Sequence, residues 1–269
     1  MINSTYRKKI KTISASLIVC LSVPLLSYAD NEKNSLTDKE NIAATIIHFS
    51  DYEPLTGKNP VTMTITDKFL RIDDNLNQAS EDEEADTGYI LYDRQEKAIY
   101  SVSSDEKQII KIKSVAVTMP SPIDLKLNLV QLPVDEQAPL VAGKKAQSYQ
   151  LYVNEKLCYN LVSVPGLMPD VVTAMGDFYQ VLAGQQAETL PYIPSDLHEA
   201  CDLTIHTFNP KSHLKNGFPM IFQVHEQAEE GSTKVKKGIK QARNLVNFSQ
   251  EKVSTALFVL PDYAIVPIN

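Results

Sequence analysis

The six residues "VTMTIT", 61–66, alternate strictly between an apolar side chain and a threonine. A period of two with β-branched residues is typical of a strand, because successive side chains of a strand point to opposite faces of its sheet. The segments "GYILYDRQEKAIYSV", 88–102, and "KQIIKIK", 107–113, repeat this behaviour around charged turns. We therefore predict an antiparallel meander with one buried face and one solvent-exposed face.

A second meander is predicted in "AQSYQLYVNEKLCYNLVSV", 146–164. The polar pair Asn154-Glu155 divides this segment and suits a tight turn between two strands. The segments "MIFQVHE", 220–226, and "LFVLPDYAIVPI", 257–268, predict further strands near the end of the chain.

Between these strands the apolar period changes from two to the spacing of a helix. We predict one helix over 168–184, with Pro169 in its first turn and Gly184 at its end. A second helix is predicted to start at Ser195 or Asp196, where Asp196 and Glu199 fit a capping box. Strands followed by helices and then strands indicate an α+β fold on a strongly bent antiparallel sheet.

The first 29 residues have the three-part pattern of a secretory signal peptide. Four basic residues within 7–11 precede an apolar run over 13–26, and Ser27-Tyr28-Ala29 provides a small-x-small cleavage site. A membrane anchor is the alternative, but the run falls short of the roughly 20 apolar residues that span a bilayer. We predict cleavage after Ala29 and a periplasmic protein.

Charge and length limit the partners of the exported chain. Because residues 1–29 hold four basic and no acidic residues, their removal would change the formal net charge from −7 to −11. Such a chain repels nucleic acid and anionic membrane surfaces. No second apolar stretch is long enough to span a membrane, so we predict no nucleic-acid partner and no integral membrane segment after processing.

Two cysteines, Cys158 and Cys201, remain after the predicted cleavage. An even pair in an oxidising compartment usually forms a disulfide. A redox pair is the alternative, but the chain has no Cys-x-x-Cys motif. We therefore predict a structural disulfide between Cys158 and Cys201.

Two acidic or histidine-rich segments invite a metal-binding interpretation. Residues 74–87 contain six carboxylates and no basic residue, which indicates a solvated loop; calcium binding is the alternative, but the turn glycine of a calcium loop is missing. "HEACDLTIH", 198–206, lacks the i, i+4 histidine spacing of helical zinc sites. Nucleophile, phosphate-loop and dinucleotide motifs are also missing. We predict no metal, no cofactor and no enzymatic activity.

The segments "MTITDKFLRIDD", 63–74, and "GYILYDRQEKAIYSVSSDEKQIIKI", 88–112, resemble the N-terminal half of the LolA/LolB-like periplasmic proteins. The matching residues are Arg71, Asp73, Asp93, Tyr100 and Val102. The resemblance spans most of residues 40–266 and identifies an uncharacterised branch of that superfamily. It implies an unclosed β-barrel, a strongly curved antiparallel sheet whose concave side is covered by helices. Residues 30–269 would form this half-barrel as a single domain.

The resemblance implies that the half-barrel shelters an apolar ligand, such as a lipid, an acyl chain or a lipoprotein segment. An envelope interaction or regulatory module without a small-molecule ligand is the alternative. A tightly filled concave face with an exposed apolar strip elsewhere would favour that alternative. The ligand and the oligomeric state stay open at this level.

Two sets of side chains are candidates for such a site. Arg71 and Asp73 share a strand face and form either an anchor for a ligand head group or a pair that sets strand register. The predicted cavity-lining residues are Met63, Ile65, Tyr100, Val102, Ile110, Tyr149, Leu151, Tyr159, Val171, Met175 and Phe178.

Overall fold

Twelve strands join edge to edge in one open sheet in the computed structural model, which describes residues 40–74, 88–138, 140–226 and 238–268. These residues belong to one compact unit. The predicted signal peptide and nearly all of the acidic loop, residues 75–87, lie outside the described residues. Within the described part of the chain, no helix has both the length and the apolar character that a bilayer crossing requires.

The strands and helices follow in this chain order. The strands are β1 Asn41–Glu53, β2 Gly57–Ile65, β3 Phe69–Asp74, β4 Tyr89–Asp93, β5 Ala98–Ser103, β6 Gln108–Lys113, β7 Leu127–Gln131, β8 Gln147–Val153, β9 Lys156–Val164, β10 Phe218–His225, β11 Ile239–Ser254 and β12 Ala264–Ile268. The helices are α1 Pro169–Thr189 and α2 Ala200–Leu203, and α2 continues into a π-helical turn over Thr204–Phe208.

The sheet has the order β12-β6-β5-β4-β3-β2-β1-β11-β10-β9-β8-β7, so β12 and β7 are its two edges. Neighbouring strands are antiparallel, as predicted, except that β12 runs parallel to β6. A last strand that returns across the sheet is not joined to its neighbour by a hairpin, so its direction is not forced to be opposite. The prediction of an α+β protein with an unclosed, mostly antiparallel sheet is confirmed.

Local sequence determined the tight turns and the alternation. Asn154 and Glu155 have φ values of 49° and 68° and connect β8 to β9. Positive φ at both central residues is the geometry of the two-residue hairpin turn that the sequence predicted there. In β2, Val61, Met63 and Ile65 point to the same face and are all buried.

The first meander differs from the prediction of one buried and one wet face. In β5, Ile99 packs in the main core with α1, whereas Tyr100 and Val102 pack on the opposite face against Phe258. Phe258 belongs to a 3-10 turn, Thr255–Phe258, in the segment that leads to β12. Both faces of β5 are therefore buried, because the end of the chain covers the face of Tyr100 and Val102, which were predicted to line the cavity, while the opposite face packs with α1.

Helix α1 extends past the predicted end at Gly184 and finishes at Thr189. A Cβ atom on Gly184 would overlap the carbonyl oxygen of Val115. Gly184 therefore lets the backbone of another segment approach the helix closely, and it does not end the helix.

The second helix starts later than predicted. Residues 195–197 form a separate 3-10 turn, and α2 begins after Glu199, which makes no side-chain capping hydrogen bond. The predicted capping box is therefore absent at this helix start. The disulfide between Cys158 and Cys201 is confirmed and joins β9 to α2 across a Cα–Cα distance of 5.3 Å.

A buried ion pair joins the middle of the sheet to α1. Arg243 on β11 donates to both carboxylate oxygens of Asp51 on β1, at 2.8 and 2.7 Å, and also to the hydroxyl of Tyr179 on α1, at 3.2 Å. Arg243 and Asp51 are both buried. The nearby carboxylate raises the pKa of Arg243 despite the opposing effect of burial, so the guanidinium stays charged.

We predict that Asp51→Ala destabilises the protein by about 3–5 kcal/mol, because it leaves the Arg243 charge buried without its partner. Urea unfolding followed by circular dichroism measures this change. The matched control is Glu136→Ala, which breaks an exposed pair with Lys145 and should cost at most about 1 kcal/mol. Equal losses in the two variants would contradict the prediction.

We predict opposite effects for alanine at two glycines of α1. Gly184→Ala should destabilise by about 1–3 kcal/mol through its clash with the Val115 backbone. Gly176→Ala should stabilise by about 0.5–1 kcal/mol, because its nearest neighbour would be the Lys211 side chain at 3.4 Å and glycine is unfavourable inside a helix. Thermal unfolding of both variants tests this, and a stable Gly184→Ala protein would contradict it.

Candidate functional site

Five of the predicted cavity-lining residues meet in the main core. Met63 and Ile65 of β2 lie in one buried cluster with Val171, Met175 and Phe178 of α1. Each of the five side chains is less than 5% exposed. Ile110 is partly buried and packs against the same cluster. The helix-facing side of the sheet is therefore filled by side chains of the protein itself at these positions.

The other predicted lining residues lie elsewhere. Tyr149, Leu151 and Tyr159 belong to a second cluster, under α2 and beside the disulfide. Tyr100 and Val102 belong to a third cluster, on the face away from α1. The structure thus divides the eleven residues among three separate clusters and does not bring them around one space.

Arg71 and Asp73 contact each other and the end of the chain. The Arg71 guanidinium donates to both carboxylate oxygens of Asp73, at 2.7–3.0 Å, and to the backbone carbonyl of Leu257, at 2.6 Å. It also stacks on the Tyr89 ring, with its Cζ 3.7 Å from the ring centroid. These contacts support the interpretation of Arg71 as an anchor within the protein, which fixes the segment after β11 to β3 and β4.

The edge strand β7 provides an accessible binding surface. The Leu132 N–H donates to the Ser148 carbonyl, and the Asn154 N–H donates to the Lys126 carbonyl. Backbone groups of an antiparallel strand alternate in direction, so those of the even-numbered residues face β8. Those of Leu127, Leu129 and Gln131 therefore point away from the sheet, where no other described strand pairs with them.

Apolar side chains accompany these free backbone groups. Leu127 is 44% exposed and Leu129 is 41% exposed, on the sheet face that carries Leu151 and Val153 of β8. Val134 and Leu140, which follow β7, are also exposed. We call this surface the β7 edge: the backbone of Leu127, Leu129 and Gln131, with the exposed side chains of Leu127, Leu129, Val134 and Leu140.

A groove lies beside the β7 edge. It has a volume of about 780 Å³ and opens widely to solvent. Its lining residues are Asp124, Lys126, Leu127, Asn128, Val130, Tyr152, Asn154 and Glu155. The mixture of amides, opposite charges and two aliphatic side chains suits contacts with a polypeptide, in which backbone amides alternate with side chains of both kinds.

A polar ladder leads from the groove across the next strands. The Tyr152 hydroxyl donates to Gln150, the Gln150 amide donates to Asn160, and the Asn160 amide contacts the His225 ring, at 3.0, 3.0 and 2.8 Å. Burial lowers the pKa of His225. The ladder fixes the orientation of Tyr152, the one aromatic side chain in the groove lining.

The described residues offer no cluster of three or more His, Cys, Asp or Glu side chains that would hold a metal ion. In the segment 198–206, Cys201 is in the disulfide, and Glu199 pairs with Lys240 at 3.6 Å. Burial lowers the pKa of His206 to about 4, even though Asp202 raises it. These contacts join the segment to the rest of the fold.

His213 is buried between α1 and β10. Its ring lies 5.1 Å from that of Tyr179 and 4.7 Å from that of Phe222, and its Nδ1 has no hydrogen-bond partner among the described residues. Burial, together with the charge of Arg243, lowers the pKa of His213 to about 3. The imidazole is therefore neutral in the folded protein at neutral pH.

We predict that acid destabilises the fold through His213. Its pKa is about 3 when folded and near 6.5 when unfolded, so between these values only the unfolded chain takes up the proton. Stability should fall as the pH drops below 6.5, by about 2 kcal/mol at pH 5 for this histidine. Urea unfolding from pH 7 to 5 should show a smaller loss for His213→Gln than for the native chain. An identical pH dependence in the two proteins would contradict the prediction.

The β7 edge and its groove were missed by the sequence reasoning. The signal was present, because residues 127–134, "LNLVQLPV", carry no charge. Natural edge strands usually carry charged residues, prolines or bulges that prevent pairing with another chain. An uncharged run indicates an edge site only if its strand is known to lie at an edge. The strand order of the whole sheet decides this, and the local sequence does not contain it.

Comparison with known proteins does not assign a family. No protein-family model matches the chain, and neither does any curated protein. A structure of PNGF-II is similar over 85% of this chain, with 8% sequence identity and a TM-score of 0.37. The chain spans 31% of that protein. A similarity this low supports no statement about fold or function.

Proposed function

We propose that this chain is a periplasmic interaction module that binds another protein chain along the β7 edge. The observation that carries the proposal is the edge of β7, which no other described strand covers and where outward backbone groups coincide with exposed leucines. An extended segment can add to such an edge as a further strand, with hydrogen bonds for affinity and side-chain contacts for specificity. The proposal includes no catalysis, metal or cofactor.

The packing of the helix side supports this proposal over storage of a ligand. A carrier needs space between its sheet and its helices, whereas Met63, Ile65 and Phe178 are buried within one packed cluster there. A filled interior combined with an exposed apolar strip is the combination that an interaction module requires.

The proposed architecture is the half-barrel that the LolA/LolB resemblance implied. Helix α1 contacts β5 and β6 and also β10, although seven strand positions separate β6 from β10. In a flat sheet these two strands would be about 34 Å apart. Contact of both with one helix, in a single buried cluster, supports a sheet bent around α1.

The proposed location rests on two observations. Residues 1–29 have the pattern of a cleavable signal, and Cys158 and Cys201 form a disulfide, which is stable in an oxidising compartment. The periplasm is such a compartment. The proposed partner is therefore an envelope protein or an exported chain.

An apolar ligand, such as a lipid, an acyl chain or a lipoprotein segment, is the second candidate. It is favoured by the apolar character of the face under α1, which runs from β6 to β10. If α1 moved away from the sheet, a groove that an acyl chain could fill would open between Met63 and Ile65 on the sheet and Met175 and Phe178 on the helix. This function requires α1 to act as a lid.

We predict that the tagged chain, coexpressed with an untagged copy and crosslinked in the envelope before purification, retains a protein partner and carries no stoichiometric lipid. Leu129→Lys should lose at least nine-tenths of the captured protein, because the added charge must be buried at the paired edge. The matched control is Leu55→Lys, at a 92% exposed leucine in the turn between β1 and β2, which should retain it. Gel analysis measures the partner, and mass spectrometry of an organic extract measures lipid.

Two results would overturn this proposal. If Leu129→Lys and the native chain capture the same proteins in equal amounts, the β7 edge is not the docking surface. If the extract contains about one lipid per chain and no protein is captured, the second candidate replaces the first.

A further inference from the structure

We infer that the chain that pairs with the β7 edge is a second copy of this protein, in an antiparallel register centred on Leu129. The inference rests on the proposed function, since it names the partner for the same surface. Three features carry it: the direction of the backbone groups, the limits of the free edge and the self-complementarity of the strand.

The backbone groups allow this register. Residues 127, 129 and 131 all direct their N–H and C=O groups outward. In a twofold arrangement about Leu129, Leu129 faces Leu129 of the second copy, and Leu127 faces Gln131. All three pairs then join residues with outward groups, so each pair can exchange two hydrogen bonds.

The free edge ends where this register ends. Pro133 is the next odd-numbered residue, so its backbone nitrogen points outward. Because proline has no N–H, the outward pairing stops there, while the hydrogen bonds to β8 are unaffected. The opposite edge of the sheet is different, because β12 carries Pro267 within its five residues. Of the two described edges, β7 is therefore the one whose interior is free of proline.

The side chains of β7 are compatible with those of β7 in a second copy of the protein. On the face shared with Leu151, each Leu129 would cover its twin and reduce the exposure of both. On the groove face, Asn128 would lie opposite Val130 of the second copy, beside Tyr152. Residues 127–134 carry no charge, so no like charges meet across the twofold axis, which is unfavourable in directly opposed strand pairs.

The contact is short, so the dimer should be weak. A five-residue strand with its flanking side chains buries less than the roughly 1,200 Å² at which stable interfaces begin. The net negative charge of each copy also opposes association at low salt. We expect a monomer–dimer equilibrium in the micromolar range that strengthens when salt is added.

Sedimentation equilibrium of the purified chain from 2 to 200 μM, in 0.15 M and 0.5 M salt, tests the inference. The native chain should show dimers that dissociate on dilution. Leu129→Lys and Leu129→Pro should raise the dissociation constant at least tenfold, the latter by removing one outward N–H while the bonds to β8 remain. The matched control, Leu55→Lys, should leave it unchanged. Circular dichroism confirms that each variant is folded.

A native chain that is monomeric at 200 μM in both salt concentrations overturns the inference, and so do Leu129 variants that dimerise like the native chain. Photo-crosslinking in cells through Leu129→p-benzoylphenylalanine distinguishes an incorrect partner from an incorrect docking surface. An adduct of twice the monomer mass supports the second copy. An adduct with a different protein overturns the second copy and keeps the interaction module, and the absence of any adduct counts against both.

Discussion

An open sheet has two faces and two edges, and all four have to be covered, shortened or left available to other molecules. In this protein α1 and the segment around α2 cover one face, and the segment after β11 covers part of the other. At one edge β12 contains Pro267, which lacks a backbone N–H for pairing. The β7 edge is what remains, and its exposed leucines and outward backbone groups follow from its position as the last strand of an unclosed sheet.

The covering elements are held in place by polar contacts as well as by apolar packing. Arg243 ties α1 to the two central strands through Tyr179 and Asp51, and Arg71 ties the end of the chain to β3 through the Leu257 carbonyl. The disulfide between β9 and α2 has the same role on the helix face. Each of these links joins the sheet to a segment that covers it, so the buried faces depend on a few specific contacts.

The candidate site shows how far single residues could be interpreted from the sequence. The pairing of Cys158 with Cys201 and the turn at Asn154-Glu155 were predictable, because composition and local propensity were sufficient for both. Alternation placed Met63 and Ile65 on one face of β2 and helical spacing placed Phe178 on the apolar face of α1, but only the LolA/LolB resemblance implied that these two faces meet. Tyr100 and Val102 could not be assigned to the correct face, since the segment that buries them comes more than 150 residues later in the chain.

By itself, the sequence determined which segments are strands, where the hairpins turn, and which side chains share a face of each strand. These properties depend on neighbours within a few residues. Only the tertiary structure decided which segment covers each face, why Gly184 lies inside α1, how Asp51 meets Arg243, and which strands are left at the edges. The physical reason is that strand order and register join residues distant in sequence, so the alternation within one strand contains no information about the strand or helix beside it.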